Sequence, residues 1–304
     1  MKKEFTIKSD YINARLDRWL RKNVNVPQSL IEKNIRKGNI KVNNKKEKSS
    51  YKLQSNDLIT IYNFKFIPNK NKKFSQSYTP TKKDLSTGNK LFIEDNENFV
   101  IINKPYGVAV QQGTKSIRNI IDILKKTKPF DGLSPYPVHR IDKDTTGILI
   151  VAKNRKYAQL FTALFRKRMI HKTYLCIVKG DVVKNKGTYV DELISFEGKK
   201  KVRNKAITHF NLIGSNGKYS LLKLNPETGR KHQLRKQMLI HGFPILGDEK
   251  YNNNIRFNNK KKLRLMLHAY KVNFSIDNVK YSFLADIPYD FDKIIKEKYL
   301  RNFL

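Results

Sequence analysis

Acidic residues are scarce in this chain of 304 residues: 26 Asp and Glu stand against 63 Lys and Arg, giving a formal charge of +37 and a pI near 10.1. Such a field favours polyanions, with nucleic acid the first candidate. A genome biased toward Lys, Asn and Ile raises the lysine content, but no such bias requires carboxylates to be so few. Cysteine is almost missing. The single Cys176 excludes a disulfide framework and any cysteine-cluster metal site. The six histidines (His139, His171, His209, His232, His241 and His268) show no His-Glu-x-x-His or similar ligand spacing. No apolar run approaches the roughly 20 residues that span a bilayer. Met1-Lys2-Lys3-Glu4-Phe5 begins basic but leads into no apolar signal region. These absences predict a soluble, reduced protein of the bacterial cytoplasm or an organelle matrix, without a membrane partner. Nothing in the sequence calls for an obligate dimer, so a monomer is expected.

What is present suffices for a core: 39% of residues are hydrophobic and 11% aromatic. The length allows one substantial domain and a small one. Residues 1–63 read as the small one. Ile12, Leu16, Trp19 and Leu20 recur at i, i+4, i+7 and i+8, which is one face of a helix, with Arg15, Arg18, Arg21 and Lys22 elsewhere on its surface. Pro27-Gln28-Ser29 opens a second helix carrying Leu30, Ile31 and Ile35, closed by Gly38. Ile40-Lys41-Val42 and Leu58–Tyr62 read as strands, with a turn at Asn43-Asn44. Two basic helices followed by short strands resemble an S4 RNA-binding domain. The resemblance implies phosphate contacts by Arg15, Arg18, Arg36 and Lys37; the bland alternative is a solvated helical hairpin with ordinary surface cations.

Residues 64–90 are polar and charged, with Asn69-Lys70-Asn71-Lys72-Lys73 and a proline at 80, and read as a flexible linker. The larger domain is expected over 91–304. Phe92–Asp95 and Phe99–Asn103 read as strands, Ile117, Ile120, Ile121 and Leu124 as a helical face, and Ala158, Phe161, Leu164 and Phe165 as another. Lys172–Gly180 reads as a strand, and a basic helix is expected after Pro288. Strands and helices interleave without strict βαβ regularity and there is no internal repeat. The fold class is therefore α+β, with a mixed, largely antiparallel sheet and flanking helices.

The most informative stretch is His139-Arg140-Ile141-Asp142, which runs into Lys143-Asp144-Thr145-Thr146-Gly147 and the apolar Ile148–Ala152. The apolar run is short and β-branched, so it reads as a buried strand. Thr145-Thr146-Gly147 reads as a turn in which Gly147 takes a positive φ. A carboxylate is thus held on a rigid loop at the mouth of a strand, with an arginine two residues before it. From composition alone, Asp142 would be a loop aspartate that pairs with an arginine or caps a helix.

This stretch resembles the His-Arg-Leu-Asp active-site motif of the RluA/RluC/RluD-type RNA pseudouridine synthases. Lys104-Pro105-Tyr106-Gly107-Val108-Ala109-Val110 resembles the family's Asn-Lys-Pro opening motif, and Lys172-Thr173-Tyr174 its Lys-x-Tyr strand. Asn225 to Arg235 resembles its Thr-Gly-Arg-x-His-Gln segment, and Gly242–Tyr251 and Leu267-His268-Ala269 its later motifs. The resemblance covers nearly the whole chain outside the linker, and Gly107–Gly113 is closest to the RluC branch. It implies isomerisation of specific uridines in large-subunit ribosomal RNA, the chain's partner, with base flipping and without a cofactor.

By the same resemblance Asp142 is the catalytic carboxylate, acting as nucleophile or base. Arg235 pairs with it, Tyr174 stacks on the target base, and Arg140 fills the space left by the flipped nucleotide. Arg230 and Lys231, by their place near the start of the following helix, are expected to contact phosphate, and Asp248 and His268 to be structural rather than catalytic. Two departures stand out. Ile141 replaces the usual Leu, a volume-conserving change, and Lys236-Gln237 replaces a hydrophobic residue and a second histidine. A transfer-RNA enzyme of the same family, or a non-catalytic ribosome assembly factor, remains an alternative. The latter would be marked by loss of the aspartate or the arginine, and neither is lost. A DNA-binding regulator would need a recognition helix, and no such signal is present.

Overall fold

The computed structural model describes residues 2–7, 11–24, 26–62, 78–113, 116–197, 200–251 and 263–300. The chain divides into two compact units, Met1–Gln76 and Ser77–Leu304.

The first unit contains β1 (Lys2–Thr6), α1 (Leu16–Val24), α2 (Gln28–Lys37), β2 (Ile40–Val42) and β3 (Leu58–Tyr62). The strands form an antiparallel sheet in the order β1-β3-β2. Leu16, Trp19, Leu20 and Val24 of α1 pack with Ile31 and Ile35 of α2 and with Ile59 and Ile61 of β3. As the sequence predicts, α2 ends at Gly38 with φ 76, and Asn43 and Asn44 turn the chain at φ 49 and 64. Ile12 is the exception. It precedes α1 and is 40% exposed, because Asn13 at φ 63 leaves the helical region just after it. The edge strand β1 has four exposed residues out of five, a pattern without alternation that gives no strand signal.

Of the linker expected over 64–90, residues 64–77 lie outside the described residues, and the expectation does not hold for 82–88. There α3 (Lys82–Gly88) starts from a reciprocal cap: Thr81 Oγ1 accepts from the Asp84 N–H at 3.2 Å, and Asp84 Oδ2 accepts from the Thr81 N–H at 3.1 Å. Burial by itself would raise the Asp84 carboxyl, but its hydrogen bonds with Tyr78, Thr81 and Arg118 hold it well below the usual range. The surrounding lysines mask this Thr-x-x-Asp signal in the sequence.

The rest of the second unit runs β4 (Phe92–Asp95), β5 (Phe99–Lys104), α4 (Ile120–Leu124), β6 (Tyr136–Pro137), β7 (Thr146–Ala152), α5 (Arg155–Arg166), β8 (His171–Lys179), β9 (Lys186–Glu197), β10 (Lys200–Ser215), β11 (Tyr219–Pro226), α6 (Gln233–Ile240), β12 (Leu267–Ile276), β13 (Val279–Leu284) and α7 (Tyr289–Glu297). The sheet order is β4-β5-β7-β12-β8-β11-β10-β9, with β13 on β12 and β6 on β7. Among the described residues β7 and β12 form its one parallel pair, so the sheet is mixed and largely antiparallel, as expected. One apolar cluster joins β5, β7 and α5 through Phe99, Ile101, Leu149 and Phe161; a second joins β8, β11, α6 and α7 through Ile177, Leu222, Met238 and Phe291. Ile117, expected on the face of α4, lies before the helix and is 52% exposed, because Asn119 caps the helix one residue ahead of Ile120. The helix after Pro288 is not basic: α7 carries Asp290, Asp292 and Glu297 against Lys293 and Lys296. No helix among the described residues is long and apolar enough to cross a membrane.

Candidate active site

The loop from β6 to β7 carries Asp142, and the parallel pairing of β7 with β12 fixes where that loop ends. Gly147 lies opposite Ala269 with φ 103, and a Cβ on it would stand 2.2 Å from the Ala269 carbonyl oxygen. Only glycine allows the two backbones to approach so closely. Gly147 takes the positive φ that the sequence predicts, but it does so inside the strand. The turn falls earlier, at Lys143-Asp144, and is closed by the Thr145 N–H donating to the Asp142 carbonyl at 3.1 Å.

Two groups hold the loop from beneath. Lys104 at the end of β5 is fully buried, and its Nζ donates to the carbonyls of Pro105 (2.9 Å), Val108 (2.8 Å) and Lys143 (3.1 Å). The ammonium therefore ties the opening motif to the residue after Asp142. Burial pushes its pKa down to about 7, opposed by the negative charges of Asp144 and Asp142. His139 accepts the Ile150 N–H at Nε2 (2.9 Å) and packs its ring 4.6 Å from that of Phe165. Burial, then the nearby Lys172 charge, lowers it to about 3, so the imidazole is neutral and serves as an acceptor.

Asp142 itself is half-buried. Its Oδ2 lies 3.4 Å from Arg235 Nη1, and its Oδ1 lies 3.7 Å from His232 Nε2. Arg235 projects from α6 with its remaining donors held: Nε and Nη2 each reach Asp248 at 2.7 Å. Asp248 is buried and also accepts the N–H groups of Lys250 and Tyr251. The guanidinium lies 5.2 Å over the ring of Tyr251, whose hydroxyl is 2.8 Å from His232 Nδ1. Burial works against the Arg235 charge, but its hydrogen bonds to Asp248 and the charge of Asp142 raise its pKa. A permanent cation is thus fixed beside the carboxylate.

These groups open onto a cavity of about 550 Å³, within the range that holds a nucleotide-sized ligand. Asp142, Tyr174 and Arg235 all line it, as do the exposed Arg140 and Arg230. Tyr174 on β8 is kept a neutral phenol, first by burial and then by the negative charge of Asp142. Five of the expected site residues therefore meet in one place. The other four belong to the first unit. Arg18, Arg36 and Lys37 are exposed on α1 and α2, whereas Arg15 is engaged by Asp17 through bonds of 3.0 and 2.8 Å. Gln237, one of the sequence departures, is buried away from the cavity. It donates to Asp191 at 2.7 Å and accepts from Thr208 at 2.6 Å, which locks α6 to β9 and β10.

The sequence motifs that contain His232 and Lys104 give neither residue a role. His232 takes φ 54 immediately before α6, a left-handed conformation unusual for a residue with a side chain, and this aims its ring at Asp142. Asp248 supports the site as the buried partner of Arg235. His268 bonds Thr146 Oγ1 at 2.9 Å across the β7–β12 pair and is buried away from the cavity, in the structural role expected of it.

Residues 98–239 match the RNA pseudouridylate synthase family, and residues 14–59 match the S4 domain. A protein named ribosomal large subunit pseudouridine synthase C from Buchnera aphidicola is 35% identical over 288 residues, covering 88% of each chain. One of the same name from Haemophilus ducreyi is 32% identical over 300 residues, covering 94% of this chain and 92% of that one. Among solved structures, human RNA pseudouridylate synthase domain containing 4 superposes with a TM-score of 0.60 at 25% identity, over 71% of this chain and 97% of that one. The chain belongs to the RNA pseudouridylate synthase family, isomerases that convert uridine in RNA to pseudouridine, and carries an S4 domain ahead of the synthase domain.

Proposed function

We propose that this protein isomerises specific uridines of large-subunit ribosomal RNA, acting as a monomer in the bacterial cytoplasm. The single observation that carries the reading is the Asp142–Arg235 pair at 3.4 Å, set in a cavity of nucleotide size. The relatives named for the large ribosomal subunit support the choice of RNA.

In this reading the exposed Arg18, Arg36 and Lys37 of the first unit anchor RNA through phosphate. The second unit receives a uridine extruded from the RNA, with Tyr174 against the base and Arg140 in the vacated space. Arg230, at the cavity surface, holds a phosphate. Asp142 acts on the sugar as nucleophile or base, so it must be ionised. Arg235, a permanent cation 3.4 Å away, stands as its counter-charge. Tyr174, a neutral phenol, packs against the ring without adding charge.

The test is a map of pseudouridine in the ribosomal RNA of cells with and without the gene. The reading expects one or more large-subunit positions to revert to uridine and to be restored by the intact gene. An unchanged large-subunit map, with losses only in transfer RNA, would move the substrate to that class.

A further inference from the structure

Lys172 shares a face of β8 with Tyr174, two residues along the strand and therefore roughly 6.7 Å away. It lines the same cavity as Asp142 and Arg235. Its Nζ lies 6.0 Å from the centre of the Phe165 ring, and its charge is felt by the partly buried His139. Among the described residues no carboxylate ion-pairs with it and no acceptor hydrogen-bonds it. The nearby acids are occupied: Asp142 faces Arg235 and His232, and Glu227 holds His209 at 2.7 Å. Burial alone pushes its pKa below the ordinary lysine range. Folding has therefore placed a cation at the wall of the active cavity without an anion to balance it, an arrangement that costs stability.

We propose that Lys172 is a catalytic residue of the isomerisation, its ammonium bonding a carbonyl oxygen of the target uracil and neutralising the charge the ring carries while detached from the sugar. The proposal rests on the reading that Asp142 attacks the bound nucleotide. When the C1′–N1 bond breaks, its electron pair stays on the base, and the anion's charge is shared over N1, O2 and O4. C1′ is captured by the Asp142 carboxylate, or the sugar loses its 2′ proton to it. After the ring turns, C5 bonds to C1′ as the ester bond to Asp142 breaks or, in the second route, as Asp142 returns the proton to C2′; the C5 proton then leaves and N1 takes up a proton, which regenerates Asp142. No co-reactant is consumed.

An ammonium beside the ring interacts weakly with neutral uracil and strongly with its anion, so it lowers the barrier more than it tightens binding. Four other cations lining the cavity, Arg140, Arg166, Arg230 and Lys231, are exposed and suit hydrated phosphates. Lys172 is set deeper, against an aromatic wall and next to the tyrosine on which the base would stack.

The test uses the full chain with in vitro transcribed large-subunit ribosomal RNA tritiated at uridine C5, where C5–C1′ bond formation releases the label. Single-turnover rates and RNA affinities are measured for Lys172→Met, Lys172→Gln and Lys172→Arg, with melting temperatures as a check on folding. The expected result is a rate loss of roughly 100-fold in the Met and Gln variants, with RNA affinity changed by less than about threefold and most of the rate recovered in the Arg variant. The Gln variant serves if the Met variant does not fold. Wild-type rates in the uncharged variants, equal loss in all three, or a loss confined to affinity would each overturn the proposal. Asp142→Asn in the same assay separates the two layers: if it retains turnover, the reading of the site fails, whatever Lys172 does.

Discussion

Arg235 binds Asp248 with two hydrogen bonds of 2.7 Å and approaches Asp142 with a single contact of 3.4 Å. The stronger grip is on the residue with no part in the chemistry. This division fixes the guanidinium plane through a buried, bidentate pair and leaves Asp142 free to move toward a substrate without losing its counter-charge.

The pair therefore couples stability to activity. Arg235→Met strands Asp248 as a buried carboxylate and should cost about 3–5 kcal/mol of stability in addition to abolishing turnover. Arg235→Met combined with Asp248→Leu should recover most of the stability and none of the activity. Urea unfolding and the tritium-release rate, measured on both variants, separate the two effects. Recovered activity in the double variant would show that the counter-charge is dispensable.

Gly147→Ala tests the junction of β7 and β12. The added Cβ would stand 2.2 Å from the Ala269 carbonyl oxygen at a φ of 103, so backbone must move at the base of the Asp142 loop. A stability loss of at least about 2 kcal/mol is expected, with reduced turnover. A Tm within a degree or two of wild type would contradict the close approach.

Lys104 predicts a pH dependence of stability. Its pKa falls to about 7 in the folded chain from the ordinary lysine value of 10.5. Between those values the unfolded chain binds more protons than the folded one, so this group's contribution to stability rises with pH; below about 7 both states hold the proton and it is flat. Lys104→Met should remove that rise while loosening the Asp142 loop. Urea midpoints of the two proteins across the range from neutral to alkaline pH check the sign. Parallel curves would show that Lys104 keeps an ordinary pKa.

Replacing Arg18, Arg36 and Lys37 by alanine should weaken RNA binding and flatten its dependence on salt. Each lost phosphate contact should reduce the log–log slope by roughly 0.7 to 0.9. Turnover at saturating RNA should change little. An unchanged slope would remove these residues from the interface. Arg15 is a weaker choice for this experiment, because its guanidinium already serves Asp17.

The parts of the fold legible in the sequence are those where local chemistry and tertiary context agree. Gly38, Asn43 and Asn44 adopt the left-handed conformations their residue types allow, and Leu58–Tyr62 and Ile148–Ala152 are strands because β-branched runs bounded by turns have few alternatives. The failures have equally local causes. Helical spacing alone assigned Ile12 and Ile117 to helices, but residue 13 leaves the helical region after the first and Asn119 caps the helix after the second. α3 was hidden because its capping pair sits among lysines that resemble a linker.

At the site, the motif named Asp142, Arg235 and Tyr174, and the fold brings them to one cavity. What no motif spacing conveys is partnership across the sheet. Nothing local says that Lys104 reaches the carbonyl of Lys143, that Asp248 takes two of Arg235's donors, or that the left-handed turn at His232 points its ring at the carboxylate. Those contacts depend on strands distant in sequence lying side by side.

The central claim, that the Asp142 carboxylate performs the isomerisation, is tested most directly by single-turnover tritium release with Asp142→Asn. The expected result is a rate lower by roughly a thousandfold or more, with RNA affinity nearly unchanged. Turnover within tenfold of the wild-type rate would contradict the account.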